Sequence, residues 1–528
     1  MKKFLHCIVV AGAATVMCAE VAHAQQADGT EDFVPGELLV GFSSQQDRDS
    51  LAANLSQNRQ SLRAGGDVPA AIVTEPQSGN AVKLKIDFSA NTRNRLRNTP
   101  SAELPLLEEM AAQIKANNSG VSYAHPNWIV KLDPVDRANA GQMDKGALSN
   151  LNTPEPNDPI YQAGLQWHYG PLPGGMNAEA AWSAGIKGDR DIVVAVLDTG
   201  MVFNHEDTER SPNLKRGISM LSYNICTEQE IPRRGDSTDT GDACPQKGLE
   251  SSSWHGTHVA GIIGAVATNN RIGTAGINWN ITVVPVRVLG PVAGTAQDIA
   301  DGIRWAAGLP VQGVSQRIEK KADIINMSLG GRGPCSDQEY GIVRDAITAA
   351  RGQGTVVVIS AGNGSYFDNQ GKSCKPGSQN CSHRQEDVTL YRPASCPGVI
   401  SVSASGPTGA LAPYSNFGTT VSIMAPGGDG TQGKEFDIFG QKRRLPLAVW
   451  SVGNANYYYP MQGTSQAAPH VAGAIALAMS KDSSLRGKPD EVARRLRASA
   501  VPVQSGACPP GKPCGAGQLD VMKLINQR

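Results

Sequence analysis

Residues 192–197 form an unbroken apolar run, IVVAVL, that ends in Asp198. Such a run is expected for a strand that is buried on both faces, as in a parallel sheet covered by helices. After Asp158 the pattern alternates between apolar runs and stretches with helical periodicity, which implies parallel strands joined by crossover helices. The sequence therefore predicts an α/β fold with helices on both faces of a mostly parallel sheet.

Further elements can be placed along this part of the chain. In open α/β sheets the functional side chains collect at the carboxyl ends of the strands, and Asp198 lies at such an end. Strands are predicted at residues 281–289, 323–328, 355–360 and 399–403, and helices at residues 295–307 and 337–350.

A second feature is the stretch GTSQAAPHVAG at residues 463–473. Ser465 precedes a small-residue apolar run, 467–479, that predicts a buried helix. The first N–H groups of a helix are unpaired and lie at its positive end, which suits the stabilisation of an oxyanion. We expect Pro469 to cost little, because first-turn N–H groups have no helical partner. The alternative is that Ser465 only caps a core helix.

A third feature, WHGTHVAG at residues 254–261, opens another small-residue helical run. Asp198, His255 and Ser465 follow one another in the subtilisin order, which differs from the orders of chymotrypsin and the α/β hydrolases. With the motifs DTG, HGTHVAG and GTSxAAPHVAG, residues 158–528 resemble the subtilisin-like serine proteases, the bacterial secreted subtilases. The resemblance implies their doubly wound, mostly parallel sheet.

The resemblance also implies a catalytic triad. Ser465 would be the nucleophile, His255 the base that later protonates the leaving amine, and Asp198 the group that orients the imidazole. Asn363 matches the family's oxyanion-hole asparagine, with the Ser465 N–H as second donor; the alternative is an Asn that turns a Gly-rich loop. His258 could instead form a His-x-x-His metal pair with His255, but the motif lacks a third ligand and a Glu base. In the family this second histidine is structural.

Ser328, Leu329 and Gly330 resemble the strand that pairs with the substrate backbone and forms a wall of the P1 pocket, which holds the side chain before the scissile bond. Gly330 and Gly331 would let the peptide approach closely. The loop that should floor this pocket, between residues 374 and 396, is too altered to align. The sequence therefore gives no P1 preference.

A structural calcium ion is likewise implied by the resemblance. Its ligands would be the side chains of Asp158, Asp207 and Asn270 and the carbonyl oxygens of Ile272 and Thr274, an all-oxygen cage suited to a hard cation. The loop carries two extra residues around 267–268 relative to the family, and ordinary Asx turns are the alternative.

Two long insertions depart from the family pattern. One lies between Asp198 and His255 and carries Cys226 and Cys244; the other, at residues 427–460, contains three consecutive tyrosines at 457–459. Long loops near a site are usually functional or disordered, so we expect both to shape the substrate groove.

The first 24 residues predict a secretory signal peptide. Lys2 and Lys3 precede an apolar run at residues 8–17, and Ala-His-Ala at 22–24 fits a cleavage site. The run is too short to span a bilayer, and no later segment of the sequence reaches transmembrane length. A lipoprotein anchored through Cys18 is the weaker alternative because Met17 replaces a small residue. We expect a secreted protein, with periplasmic transit left open.

Eight cysteines follow the signal peptide, and an even count in an exported chain predicts disulfides. A zinc cluster is disfavoured because no paired CxxC spacing occurs. Cys226–Cys244 and Cys508–Cys514 would close short loops and are the expected pairs. The sequence does not pair the remaining four, which are Cys335, Cys374, Cys381 and Cys396.

Residues 33–133 predict a separate small α+β unit. Strands are expected at 35–42, 84–88 and 128–132, and residues 121–127 together with the last of these strands close the unit. A helix at 105–117 places Leu106, Leu107, Met110 and Ile114 on one stripe and ends before Gly120. The unit resembles the subtilase propeptide, a ferredoxin-like domain that assists folding and inhibits the enzyme; a generic α+β module is the alternative.

Residues 134–157 are polar and aperiodic, with scattered Pro, Gly and Asn. Such a segment predicts an exposed linker, the kind of sequence that proteases cut. We expect the maturation cleavage here, between the propeptide and a catalytic domain at 158–528.

The leading functional hypothesis is an exported serine endopeptidase made as an inhibited, self-processed precursor. It would act as a monomer on polypeptide substrates, with its own propeptide as intramolecular inhibitor. Lys and Arg together number 48, as do Asp and Glu, and this zero formal charge argues against a nucleic-acid partner. No membrane partner is expected once the signal is removed. An inactive homologue would not need the four site residues, and an esterase would need a Gly-x-Ser-x-Gly elbow.

Overall fold

A computed structural model describes residues 32–57, 69, 71–98, 102–132, 136–137, 155–233, 235–247, 249, 251–370, 374, 380–438 and 441–528. The predicted signal peptide and most of the predicted linker lie outside these residues. Among the described helices, none is long and apolar enough to cross a membrane.

The amino-terminal unit is an antiparallel sheet with helices on one side. Its own strands lie in the order β4-β1-β3-β2, and the chain runs through them in the ferredoxin-like sequence of strands and helices. The predicted α+β architecture and the buried stripe Leu106, Leu107, Met110 and Ile114 are confirmed. Elements α1, β2 and α2 were not predicted, and the last strand begins at Val121 rather than at Trp128. The elements are β1 Phe33–Phe42, α1 Gln45–Gln57, β2 Ala71–Pro76, β3 Ala81–Asp87, α2 Ala90–Asn98, α3 Glu103–Asn117 and β4 Val121–Lys131.

The carboxyl-terminal unit contains the larger sheet. After β5 Asp136–Arg137 and α4 Pro159–Gln162, its elements are α5 Ala178–Ser183, β6 Val193–Asp198, β7 Ile218–Ser219, β8 Tyr223–Asn224, β9 Gln229–Glu230, α6 His255–Ile263, β10 Thr282–Arg287, β11 Ala293–Thr295, α7 Ala296–Ala306, β12 Ile324–Met327, β13 Gly331–Arg332 and α8 Asp337–Gly352. They continue with β14 Val356–Ser360, β15 Ser365–Phe367, β16 Ser382–Arg384, β17 Tyr391–Arg392, β18 Ile400–Ser405, β19 Ile423–Pro426, β20 Asp429–Ile438, β21 Gln441–Leu447, β22 Val449–Val452, β23 Tyr458–Gln462, α9 Thr464–Lys481, α10 Pro489–Ser499 and α11 Val521–Asn526.

The central sheet has seven strands in the order β19-β18-β14-β12-β6-β10-β7, and every pairing in it is parallel. Alternate residues of β6 point to opposite faces, so Val194 and Val196 pack against the layer of α6 and α9, whereas Ala195 and Leu197 pack against α7 and α8. Both faces are therefore buried, which is why the strands read as continuous apolar runs. The predicted α/β architecture is confirmed.

The two units share a sheet edge. Strand β11 of the carboxyl-terminal unit pairs antiparallel with β4, with Gly294 opposite Val130, and so extends the amino-terminal sheet to five strands. Tyr123 and Trp128 of β4 are buried with the side chains of α7 and α8. A second contact lies within the predicted linker, where β5 pairs antiparallel with β23. The linker prediction did not anticipate this strand.

The eight cysteines are joined in pairs. Both pairs expected from short loop closure, Cys226–Cys244 and Cys508–Cys514, are confirmed. The sequence left the other four open, and they pair as Cys335–Cys396 and Cys374–Cys381.

The second insertion forms the hairpin β20–β21 and the pair β22–β23. Phe436 and Leu445 of the hairpin pack in one apolar cluster with Ile160, Leu165 and Trp450. This part of the insertion thus covers the segment after Asp158, and β23 is the part that leads directly into Ser465.

Candidate active site

Asp198 and His255 are in direct contact at the carboxyl edge of the central sheet. Asp198 is the last residue of β6, and His255 is the first residue of α6. The His255 Nδ1 atom lies 2.8 Å from Asp198 Oδ1, and both side chains are fully buried. The same carboxylate oxygen accepts a 2.8 Å hydrogen bond from the Thr199 N–H. With the Nδ1–H donating to Asp198, the Nε2 atom of His255 keeps the basic lone pair.

A side-chain bridge fixes the start of α6 against β6. The Thr199 hydroxyl donates to Asp239 at 2.7 Å and accepts from the Gly256 N–H at 3.0 Å. Burial raises the pKa of Asp239 to about 6. Asp239 belongs to the first insertion, and no motif in the sequence pointed to it.

Ser465 lies in the first turn of α9, as the sequence predicted. The expectation for Pro469 was wrong: α9 begins at Thr464, so the proline is the sixth helical residue and lies beyond the unpaired first turn. It therefore removes the N–H that would have bonded the Ser465 carbonyl oxygen. That oxygen instead accepts a 2.8 Å hydrogen bond from Ser328 Oγ. The Ser465 hydroxyl faces the Ser328 carbonyl oxygen at 3.4 Å.

Asn363 is held close to the start of α9 by Thr464. The Asn363 Oδ1 atom accepts from both the N–H and the hydroxyl of Thr464, each at 2.8 Å. The Thr464 hydroxyl in turn accepts from the Gly362 N–H at 3.0 Å. With its oxygen occupied in this way, the amide nitrogen of Asn363 lies beside Gly463.

Gly463 leaves room for the Asn363 amide because it has no side chain. A Cβ atom there would lie 3.1 Å from Asn363 Nδ2 and 2.9 Å from Gln466 Oε1, and the φ angle of 157° is one that side chains disfavour. On the other side, the ring of His383 contacts the Asn363 carbonyl oxygen at 2.7 Å through Nε2. His383 lies on β16, and no sequence motif pointed to this contact.

The predicted substrate strand, Ser328 to Gly330, follows β12 and leads into β13. Its first residue touches Ser465 through the two contacts given above, so the structure brings these predicted residues together. Leu329 is fully buried in the apolar layer of α7 and α8.

His258 has a structural environment. Its Nε2 atom contacts the Tyr459 carbonyl oxygen at 3.1 Å, and burial lowers its pKa to about 3. Across the described residues no group of three or more His, Cys, Asp or Glu side chains is arranged to hold a metal ion. The structure thus gives no support to the metal-pair interpretation of His255 and His258.

The predicted calcium ligands lie in one hydrogen-bonded network. Asp158 accepts from the backbone N–H groups of Asn269 and Asn270, and Asp207 accepts from the N–H and hydroxyl of Thr274. The Asn270 Nδ2 atom lies 3.4 Å from Asp207 Oδ1. Burial raises the pKa of Asp158 to about 7 and that of Asp207 well above its ordinary value, with the negative charge of Asp158 adding to the latter.

The negative charge of Asp158 raises the cost of ionising the buried Asp207. A hard cation would compensate buried carboxylates of this kind, so the side chains of Asp158 and Asp207 have the donor chemistry that a calcium ion requires. Asn270 fits less well, because its Oδ1 atom accepts from the Ile272 N–H at 2.8 Å in an Asx turn, which was the alternative interpretation. The other two predicted ligands, Ile272 and Thr274, lie in the same loop as Asn270, and their backbone N–H groups donate to Asn270 and Asp207.

Comparisons with known proteins agree with this architecture. The defining pattern of the subtilase family matches residues 189–517, and that of the fervidolysin N-terminal prodomain matches residues 19–83. The chain is 37% identical to an extracellular protease of Xanthomonas campestris pv. campestris over 407 residues, which is 74% of this chain and 62% of the relative. It is 35% identical to an extracellular basic protease of Dichelobacter nodosus, over 62% of this chain and 49% of the relative.

Solved structures of related proteases are also similar to this chain. A protease of Pseudoalteromonas arctica is 36% identical, with a TM-score of 0.56, over 71% of this chain and 99% of that one. Fervidolysin from Fervidobacterium pennivorans, at 21% identity and a TM-score of 0.58 over 95% of this chain and 62% of that one, supports the fold. The chain thus spans roughly half to two thirds of the two curated relatives named above. The family pattern covers more than half of the chain, and the protein belongs to the subtilase family.

Proposed function

We propose that this protein is a secreted serine endopeptidase that is made as a precursor, inhibited by its own prodomain and cleaved by itself. The observation that carries the proposal is the buried pair of Asp198 and His255, joined at 2.8 Å, at the same sheet edge as Ser465 on α9. Helices α6 and α9 pack against each other, which brings the base and the nucleophile onto neighbouring elements.

In the acylation step, Ser465 Oγ attacks the carbonyl carbon of the scissile peptide bond while its proton passes to His255 Nε2. The carbon–nitrogen bond then breaks, and the leaving amine takes that proton. Asp198 stabilises the imidazolium formed in between. Water repeats the sequence: it loses a proton to His255, attacks the acyl-enzyme carbonyl, and releases the carboxylic acid as Ser465 regains its proton.

The negative charge that develops on the carbonyl oxygen needs fixed donors. Asn363 Nδ2 and the Ser465 N–H would supply them. The two bonds from Thr464 support this assignment because they occupy Asn363 Oδ1, while Nδ2 lies beside Gly463, two residues before Ser465. Donors held in place before the reaction cost no reorganisation when the charge appears. We assign Ser328, Leu329 and Gly330 as the strand that pairs with the substrate backbone.

The prodomain is proposed to inhibit by lying along the substrate path. Strand β4 pairs with β11 on one side, and β5 pairs with β23, whose last residue, Gln462, lies three positions before Ser465. A chain that makes both pairings spans the neighbourhood of the nucleophile and excludes other peptides. The maturation cut is proposed within residues 141–157, in the linker predicted at 134–157, which would release a catalytic domain at 158–528.

A calcium ion held by Asp158 and Asp207 is proposed to stabilise the catalytic domain, with the carbonyl oxygens of Ile272 and Thr274 as further ligands. When bound, the ion would supply charge compensation to the two buried carboxylates. Secretion is proposed from the predicted signal peptide at 1–24 and from the extracellular relatives named above. We propose a monomer that acts on polypeptides.

Labelling with a biotinylated fluorophosphonate tests this function. The parent protein should bind one equivalent at Ser465 and hydrolyse casein, and Ser465→Ala should do neither. Asp198→Asn should keep the fold and lose most of the labelling rate, because the His255 tautomer is no longer fixed. A parent protein that is not labelled would be an inactive homologue. A parent protein that is labelled and hydrolyses esters but does not hydrolyse peptides would be an esterase.

A further inference from the structure

The ring of Tyr391 lies between two glycines at the ends of neighbouring parallel strands. A Cβ atom built on Gly330 would lie 2.4 Å from Tyr391 Cε1, and one built on Gly362 would lie 2.7 Å from Cε1 and Cζ of the same ring. Gly330 follows β12 and Gly362 follows β14, which pair directly in the central sheet. The ring is 3% exposed. Only residues without side chains leave room for it.

Two constraints hold Tyr391 in this position. Strand β17 pairs antiparallel with β13, which sets Tyr391 opposite Arg332. The disulfide Cys335–Cys396 then ties the segment after β13 to the segment after β17. The ring also belongs to the tightly packed apolar layer around Leu329 and Ala361. Displacing it would therefore disturb packing on every side.

The gap between the two glycines opens beside the nucleophile. Gly330 is two residues beyond Ser328, which bonds the Ser465 carbonyl oxygen, and the Gly362 N–H donates to Thr464 at 3.0 Å. A peptide that pairs with Ser328 to Gly330 and presents its carbonyl carbon to Ser465 directs the side chain of that residue toward this gap. Gly330 and Gly362 contribute no side chains to this gap, so the Tyr391 ring sets how far a substrate side chain can reach into it.

We propose that Tyr391 fills the inner part of this gap and restricts cleavage to bonds that follow a small residue, such as Ala, Gly or Ser. The inference rests on the proposed endopeptidase function and names its substrate class. A large side chain before the scissile bond would have to displace a packed aromatic ring. Pockets that differ by a single methylene group discriminate by about 10-fold to 200-fold, so we expect exclusion of Phe or Leu by at least about tenfold in kcat/KM.

The test compares two peptide anilides that differ only in the residue before the anilide, Ala or Phe, in the active enzyme. Active-site concentration is fixed by fluorophosphonate titration, which does not depend on that residue. The parent enzyme should favour Ala at least about tenfold. Tyr391→Ala should reverse or erase this preference by raising kcat/KM for the Phe peptide, and Tyr391→Phe, which keeps the ring, should retain it.

If Tyr391→Ala does not fold, sequencing the products of a mixed peptide library cut by the parent enzyme still decides the question. Cleavage predominantly after Ala, Gly and Ser supports the inference, and cleavage predominantly after Phe, Tyr, Leu or Met overturns it. A Tyr391→Ala enzyme whose preference equals that of the parent overturns it as well. Absence of both labelling and hydrolysis in the parent would instead refute the proposed function.

Discussion

Ser328 Oγ donates a 2.8 Å hydrogen bond to the carbonyl oxygen of Ser465, the residue proposed as nucleophile. The bond exists because Pro469 has no N–H to offer that oxygen. The proline thus leaves a polar atom unpaired inside α9, and a side chain from the end of β12 satisfies it. The nucleophile is thereby tied to the strand proposed to bind substrate.

Ser328→Ala should destabilise the protein and slow the reaction. It leaves a buried carbonyl oxygen without its donor, which costs about 1–3 kcal/mol, and it loosens Ser465. Urea unfolding of inhibitor-blocked enzyme measures the first effect and kcat the second. The matched control is Ser360→Ala, since Ser360 is a buried serine at the end of β14 whose hydroxyl has no partner in the described part of the chain. Equal effects of the two variants would contradict this role.

Asn363→Ala should lower kcat while KM changes little, because the lost donor acts on charge that exists only in the transition state. We expect a fall of about 10²–10³-fold, the range measured for loss of the oxyanion-hole asparagine in subtilisin. Steady-state kinetics on one peptide substrate are sufficient. A fall below about threefold would mean that Asn363 is not the donor, given that range.

Chelation should lower the melting temperature of the catalytic domain, and added calcium should restore it. An ion that binds only the folded state at 100 times its Kd stabilises it by about 2.7 kcal/mol. Asp207→Ala should remove the calcium increment, whereas Asp298→Asn, at a buried carboxylate elsewhere in the domain, should keep it. Calcium that changes neither melting nor autolysis of the parent enzyme would refute the site.

The contact between the two units should weaken in acid through His125 of β4. This ring is fully buried, and its Nδ1 and Nε2 atoms contact the Pro126 carbonyl oxygen at 2.7 Å and the Ile342 N–H of α8 at 3.4 Å. Burial, reinforced by the charge of Arg392, lowers its pKa to about 4. The neutral ring is thus favoured on folding, and its contribution is present above an unfolded pKa near 6.5 and is lost as pH falls toward 4.

Between pH 6.5 and pH 5 the loss from this one group amounts to about 1.5 kcal/mol. Hydrogen exchange of the β4 amides in the Ser465→Ala precursor, corrected for intrinsic rates, should show reduced protection at the lower pH. His125→Gln should reduce the difference. Unchanged β4 protection in the parent sequence across this range would contradict the prediction.

Self-processing predicts that Ser465→Ala accumulates as an uncut precursor that lacks only its signal peptide. The linker reaches the active site at high effective concentration because it belongs to the same chain. In a host without other proteases, a blot and amino-terminal sequencing should place the cut of the active protein within residues 141–157. Normal maturation of Ser465→Ala there would show that a different protease performs the cut.

The strands of the central sheet could be predicted from the sequence because a strand buried on both faces is a continuous apolar run, as in Val193–Asp198. The motif residues Asp198 and His255 could be paired in advance because each motif sits at an element end. Ser465 could be assigned to the start of a helix for the same reason. In these places local pattern and tertiary position agree.

Other features depend on contacts that no local pattern encodes. Thr464 holds Asn363 through a bond across 101 positions, and Asp239 reaches Thr199 from an insertion. Pro469 was misjudged because its cost depends on where α9 begins: only when the helix already includes Ser465 does the missing N–H leave the Ser465 carbonyl oxygen without a helical partner. The sequence also could not predict two of the disulfide pairings, Cys335–Cys396 and Cys374–Cys381. The position of Tyr391, which depends on the first of them, was therefore not predictable either.

Strand β11 covers only Ala293–Thr295 and is preceded in the chain by Pro291. In the proposed mature enzyme, from which β4 has been released, this strand would be an open sheet edge, the kind of surface through which folded proteins aggregate. Three residues and a nearby proline offer too short a ladder for a second copy of the protein to dock edge to edge. The length of this one strand thus limits edge-to-edge association of the proposed mature enzyme.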